Sequence, residues 1–240
     1  MKWVKMIEIK NLTKKYNENI ILDNLSLIIK DGEAVGVLGA NGAGKTTLVE
    51  IISGVTEPTE GKILFYDKDN KIEKNIQEKI GVQFQSGNWP FNTKGTDFLN
   101  LFIGKKWKKD EYVNKLIEIF EVKEIIVKRL SDCSGGEQQR FNSMLSIIKK
   151  PSVLILDELI TGLDLKMQIK LINFFDNLRK KEKITLIIIS HIPEEIEQIC
   201  NRIIVLDKGK IYMDKKIKEI KKEYSSVRSF LELFFEGKLQ

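Results

Sequence analysis

The chain has 240 residues, 42% of them hydrophobic and 31% charged, with a net charge of +6. That length suits one large or two small domains with a full core, and the composition is that of an ordinary globular protein rather than a disordered, fibrous or disulfide-framed one. The lysines are scattered rather than blocked, so the positive charge reads as solvated surface and no nucleic-acid partner is expected.

Cys133 and Cys200 are isolated, which fits a reducing cytosol. The first residues lack the apolar run of a signal peptide, and no stretch approaches the roughly 18 apolar residues of a membrane span. Work at a membrane would need another chain to provide the span.

In chain order, residues 7–12 alternate apolar and polar and predict a half-exposed strand. A turn at 17–19 leads to a second strand over 20–29. Tyr16, in the turn region between them, is open to two readings: an aromatic that stacks on a nucleotide base, or a surface tyrosine. Asp31-Gly32 turns the chain into an apolar strand over 33–38.

Next comes Gly39-Ala40-Asn41-Gly42-Ala43-Gly44-Lys45-Thr46-Thr47, followed by a helix ending near Gly54. Strand, glycine turn and helix with this spacing is the context of a phosphate-binding P-loop. Its N–H groups and the helix N-terminus converge on phosphate oxygens. Lys45 would reach the β- and γ-phosphates, and the Thr46 hydroxyl would ligate Mg²⁺. The bland alternative is a glycine-rich turn that binds nothing.

Short strands are predicted over 62–66 and 79–84, the second ending at Gln85. Residues 96–148 read as helical, and Pro151 ends that stretch. A buried strand over 153–156 ends at Asp157-Glu158. A helix spans 165–181, an apolar strand 184–189 ends at Ser190-His191, and Pro193 opens a helix. Strands at 203–206 and 211–213 close the sheet. The tail, with Ile217, Ile220, Tyr224, Val227, Leu231 and Phe234 three or four apart, reads as one amphipathic helix over 215–240. Packing on its own domain is the plainer account of it, and binding a partner the other.

The chemistry gathers at strand ends, where open α/β sheets bind ligands. Asp157 suits a Mg²⁺ ligand, and Glu158 suits a general base for water. Gln85 can hold Mg²⁺ or orient that water. His191 is the single histidine and stands where it can hydrogen-bond the γ-phosphate. Ser134-Gly135-Gly136-Glu137 forms a second glycine nest before a helix, hence a second anion site. Two such sites and one nucleotide per chain point to a second copy, each nucleotide lying between the P-loop of one subunit and the Ser-Gly-Gly of the other. The same geometry is compatible with Ser134 as a simple helix cap.

On these residues, together with Gly162-Leu163-Asp164, the chain resembles the ATP-binding subunits of ABC transporters over essentially its whole length. The resemblance implies an α/β P-loop NTPase core over 1–85 and 151–214, with an N-terminal antiparallel β subdomain. A helical insert covers 86–150, within a single ATP-binding domain over 1–240. It implies ATP and Mg²⁺ as cofactors, adenine stacked on Tyr16, and contacts from all of 39–47. Mg²⁺ would sit at Thr46, Gln85 and Asp157, with no metal site beyond it. Glu158, His191 and Gln85 would be catalytic, Ser134 to Glu137 would act in trans, and Asp164 would belong to the D-loop.

The partners implied are a transmembrane permease subunit and a second ATP-binding subunit, identical or a paralogue. The implied location is the cytoplasmic face of the membrane. The stretch 194–210 is similar to exporter-type subunits that handle drugs, peptides or lipids. The alternative is a soluble ABC ATPase that powers an assembly complex.

The chain departs from the family pattern at Cys133, at Glu137 in place of Gln, at Ala40 where Pro is frequent, and at Leu159-Ile160-Thr161. The last departure predicts a freer loop before Asp164.

Overall fold

The computed structural model describes residues 4–83 and 89–238. Among them nine strands run β1 (Met6–Tyr16), β2 (Asn19–Lys30), β3 (Ala34–Gly39), β4 (Glu60–Tyr66), β5 (Ile80–Gln83), β6 (Val153–Asp157), β7 (Thr185–Ile189), β8 (Arg202–Asp207) and β9 (Lys210–Lys216). Eight α-helices join them: α1 (Lys45–Ile52), α2 (Gly95–Ile103), α3 (Glu111–Ile119), α4 (Gly135–Ile147), α5 (Leu165–Glu182), α6 (Pro193–Ile199), α7 (Ile217–Tyr224) and α8 (Val227–Phe235).

β2, β1 and β4 make a three-stranded antiparallel sheet, closed between β1 and β2 where Tyr16 faces Asn19. The other strands form a second sheet in the order β5-β6-β7-β3-β8-β9. It is parallel up to β8, and β9 pairs antiparallel at the edge. β3, β6 and β7 are buried at every position, as strands covered on both faces must be. Their side chains alternate between two cores. Val35 and Val37 join α1 and the antiparallel sheet, while Ala34 and Leu38 face the core that includes the remaining helices.

Two expectations change. The long helical stretch is three helices, α2 to α4, because Gly104 takes a φ of 92° and Asp110 caps a new helix at α3. The tail is two helices rather than one. β9 continues to Lys216, and Ser225, with a φ of 69°, breaks the helix between α7 and α8. The new helix starts at Ser226, whose hydroxyl accepts the Ser229 amide. Apolar spacing runs straight through that break, so the pattern alone could not show it.

Candidate functional site

The loop between β3 and α1 is forced by its glycines. Gly39 has a φ of 146°, and a Cβ there would stand 2.3 Å from the Leu206 carbonyl oxygen. Gly44 has a φ of 98°, and a Cβ there would meet Leu22 at 2.5 Å and the Ile21 carbonyl at 2.8 Å. Both positions exclude other residues on backbone and space together. The loop wraps the ammonium of Lys45, which is 7% exposed and donates to the Gly39 and Ala40 carbonyls at 2.8 and 2.9 Å. Burial lowers the Lys45 pKa, while the charges of Asp157 and Glu158 oppose that shift.

Beside the loop lie the ends of β6 and β7. Asp157 is 3% exposed, and its pKa is pushed up to about 6. Burial is the main cause, the Glu158 charge adds to it, and Lys45 works against it. The Lys45 and Asp157 shifts point away from ion pairing although the groups attract, so desolvation outweighs their attraction. An Mg²⁺-type cation would offset that burden. A buried carboxylate beside a threonine hydroxyl is the oxygen donor set such a hard cation takes.

Glu158 follows with a left-handed φ of 53°. That conformation costs a side-chain-bearing residue about 1–2 kcal/mol and persists only where neighbours impose it. Its amide donates to the Ile189 carbonyl at 2.8 Å. The Nε2 of His191, two residues past that carbonyl, lies 3.6 Å from Glu158 Oε1. Ser190 shapes this approach, because its hydroxyl accepts the Ile192 amide at 3.0 Å.

These elements enclose a cleft of about 360 Å³. It brings together Tyr16, Asn41, Gly42, Gly44, Lys45, Thr46, Thr47, Asp157, Glu158 and His191. Tyr16 is 45% exposed at the end of β1, with the Lys14 ammonium 4.8 Å from its ring centre. Gly39, Ala40 and Ala43 shape the loop without lining the cleft. Gln85 lies outside the described residues.

Ser134 to Glu137 and Asp164 do not line the cleft of their own chain. Ser134 caps α4: its hydroxyl accepts the Glu137 amide, and Glu137 Oε2 accepts the Ser134 amide at 2.8 Å. Gly135 faces open space. Asp164 caps α5 by accepting the Met167 amide at 3.0 Å. The loop before Asp164 is not free. Leu159 and Ile160 are buried, and Gln168 Nε2 donates to the Leu163 carbonyl at 2.9 Å.

Sequence reasoning passed over Gln83, Gln139, Ser143 and Glu195, all buried near this site. The signal was a polar residue at an otherwise apolar position of a strand or helix.

The ABC transporter family model matches residues 22–161. The spermidine/putrescine import ATP-binding protein PotA of Mannheimia succiniciproducens is 34% identical over 228 residues, 92% of this chain and 61% of PotA. The chain therefore spans about three fifths of that relative's length. The nickel import system ATP-binding protein NikE of Staphylococcus aureus is 34% identical over 90% of this chain and 92% of its own. Among solved structures, the dimeric structure of MJ0796, a bacterial ABC transporter cassette, matches with a TM-score of 0.78 at 26% identity, covering 88% of this chain and 98% of that one. A dimeric post-hydrolysis state of MJ0796 bound to ADP and Pi matches with a TM-score of 0.76. Import proteins among the relatives give the exporter-type expectation no support.

Proposed function

The chain belongs to the ABC transporter family of ATPases, and from that premise we propose that its cleft binds ATP with Mg²⁺ and hydrolyses it to drive a membrane transporter. The observation that carries this reading is the convergence of Lys45, Thr46, Asp157, Glu158 and His191 in one cleft. A glycine cradle, a cation site and an acid–imidazole pair are the parts phosphoryl transfer to water requires.

Loop amides of residues 39–47 and the α1 N-terminus bind phosphate oxygens. Lys45 exchanges its loop carbonyls for the β- and γ-phosphates. Thr46 and Asp157, with Gln85, would hold Mg²⁺, which would neutralise phosphate charge when bound. Glu158 accepts the proton of the attacking water, and His191 fixes that water and the γ-phosphate edge. Tyr16, at the mouth of the cleft, stacks on the base. Ser134, Gly135, Gly136 and Glu137 lie outside this cleft and complete the facing protomer's site in a two-fold dimer. Asp164 places the D-loop between the two.

No helix among the described residues is long and apolar enough to cross a membrane. A permease subunit would provide the span, holding this chain at the cytoplasmic face. For the direction of transport, relatives named as import proteins favour uptake over export.

Glu158→Gln tests the core of the reading. It should keep ATP affinity, lower turnover by about a hundredfold or more, and run as an ATP-dependent dimer in size-exclusion chromatography. Turnover at the wild-type rate would remove Glu158 as the base. Uptake is tested in membrane vesicles of the host: cargo should accumulate on the side where this chain sits, and depletion there would establish export.

A further inference from the structure

Three polar side chains buried between α4, β5 and β6 have no role in the chemistry above. Gln83 and Ser143 are 0% exposed and Gln139 is 9% exposed. Gln139 Nε2 donates to the Glu158 carbonyl at 2.6 Å and to the Leu159 carbonyl at 3.3 Å. One turn on, the Ser143 hydroxyl, with one proton for two acceptors, lies 2.8 Å from both the Gln139 main-chain carbonyl and Gln83 Oε1. Gln83 Nε2 points back to the Asp157 carbonyl, a long contact at 3.5 Å. Linked through the α4 backbone, the Gln139 side chain and the Ser143–Gln83 pair form a relay that ends on three successive carbonyls, those of Asp157, Glu158 and Leu159.

Apolar side chains would fill this space without any need for partners, whereas buried amides and hydroxyls are costly unless each is satisfied. Position shows what these groups do. α4 begins at the Ser134 cap, and Glu158 sits in a strained left-handed conformation. On one side the Ile189 carbonyl holds the Glu158 amide. On the other side Gln139 holds the Glu158 carbonyl. The Glu158 peptide is therefore clamped between β7 and α4.

We propose that Gln139, backed by Ser143 and Gln83, is a positioning residue that ties the Glu158 peptide to the helix whose N-terminus meets the partner protomer's nucleotide. The inference rests on the reading of Glu158 as base and of Ser134-Gly135-Gly136 as a trans contact. A triphosphate on the facing P-loop draws on the N-terminus of α4. Through Gln139, α4 sets the Glu158 carboxylate that serves the chain's own nucleotide. Each site is then aligned by occupancy of the other. The relay touches no P-loop group, so it governs turnover and not ATP affinity.

The experiment measures steady-state ATP hydrolysis by the full chain, alongside equilibrium ATP binding and thermal melting. Gln139→Ala should lower kcat about tenfold with ATP affinity within twofold, and bring the Hill coefficient for ATP toward one. Wild-type kcat and Hill coefficient in that variant would overturn the proposal. The double variant Gln83→Leu/Ser143→Ala replaces both partners with apolar groups, so it should melt near the wild type yet keep the loss of kcat and cooperativity. Wild-type kinetics there would show a purely structural role and would equally overturn it. If Gln139→Ala does not fold, the double variant decides alone. Glu158→Gln separates the two readings. If it hydrolyses ATP normally, the assignment of the base fails. If it is inactive while the relay variants behave as wild type, the relay alone fails.

Discussion

Glu195 shows how much one buried side chain can govern. It is 0% exposed, accepts the Ser190 hydroxyl at 2.5 Å through Oε2, and its Oε1 has no hydrogen-bond partner among the described residues. Burial pushes its pKa up to about 7, and the Glu158 charge adds to the rise. The Glu195 charge in turn adds to the burial that raises the pKa of Cys200. The native state thus holds a proton that the unfolded chain releases near the ordinary value of 4.5. Between those two values the folded chain binds more protons, so this group's contribution to stability falls as pH rises toward 7 and is level above it. Glu195→Gln removes that slope while keeping an acceptor for Ser190. Urea unfolding should find the variant close to the wild type near pH 4.5 and more stable at pH 8, by up to roughly 3 kcal/mol. An equal difference at both pH values would contradict the assignment. Asp157, also raised, adds the same sign of slope to both proteins. At this scale the P-loop and Asp157-Glu158 were legible because glycine spacing and strand ends are local signals. Glu195, Gln139 and Gln83 were harder to read, because Glu195 and Gln139 lie in polar runs that look like solvated helix surface and Gln83 is a single polar residue in a strand, so burial shows only once their neighbours are known.

At the scale of elements, α6 joins the site to the tail. Its Ile196 packs so close to β3 that a Cβ at Gly36 would stand 2.7 Å from the Ile196 Cγ2. Its outer face meets the last two helices. Arg228 pairs with Glu194 at 2.7 Å, Glu197 Oε2 accepts the Val227 amide at 3.2 Å, and Lys221 pairs with Glu197. Two forces hold the tail here, and magnitude separates them. The Arg228–Glu194 side chains are 58% and 52% exposed, so water screens the pair and Arg228→Ala should cost little. Ile217, Ile220, Val227, Phe230 and Leu231 are buried, each contributing about 1.5–3 kcal/mol against the entropy of ordering two short helices. Truncation after Lys216 should therefore lower stability by several kcal/mol, seen as a drop of ten degrees or more in Tm, while Arg228→Ala leaves Tm within a few degrees. The reverse ranking would mean that charge rather than burial fixes the tail. The tail's apolar spacing was legible as a packed amphipathic surface. Its division into α7 and α8 was not, because the Ser225 backbone turn leaves the three-and-four spacing intact.

The whole molecule is half of the proposed machine. Its cleft gathers Lys45, Thr46, Asp157, Glu158 and His191, while Ser134-Gly135-Gly136 stands on a surface outside that cleft. If each nucleotide needs the P-loop of one protomer and the glycine nest of the other, two differently damaged chains must rescue one another. Lys45→Ala removes the cradle's cation from its own site but leaves the nest sound. Gly135→Asp does the opposite. A Cβ there meets nothing within 4 Å and the backbone φ is not in the left-handed range, so the fold survives while a carboxylate faces the incoming phosphates. Each variant alone should be inactive. Mixed in equal amounts, about half of the dimers are heterodimers, each with one sound site of two, so turnover should rise above that of either variant alone and reach at most about a quarter of the wild-type rate per chain, the shortfall measuring how far the sound site depends on occupancy of the other. Steady-state hydrolysis over a mixing series checks this, with the maximum expected at equal proportions. A series that stays flat would place the nest's action within its own chain or outside the reaction. That outcome would leave the P-loop half of the argument standing and remove the dimer from it.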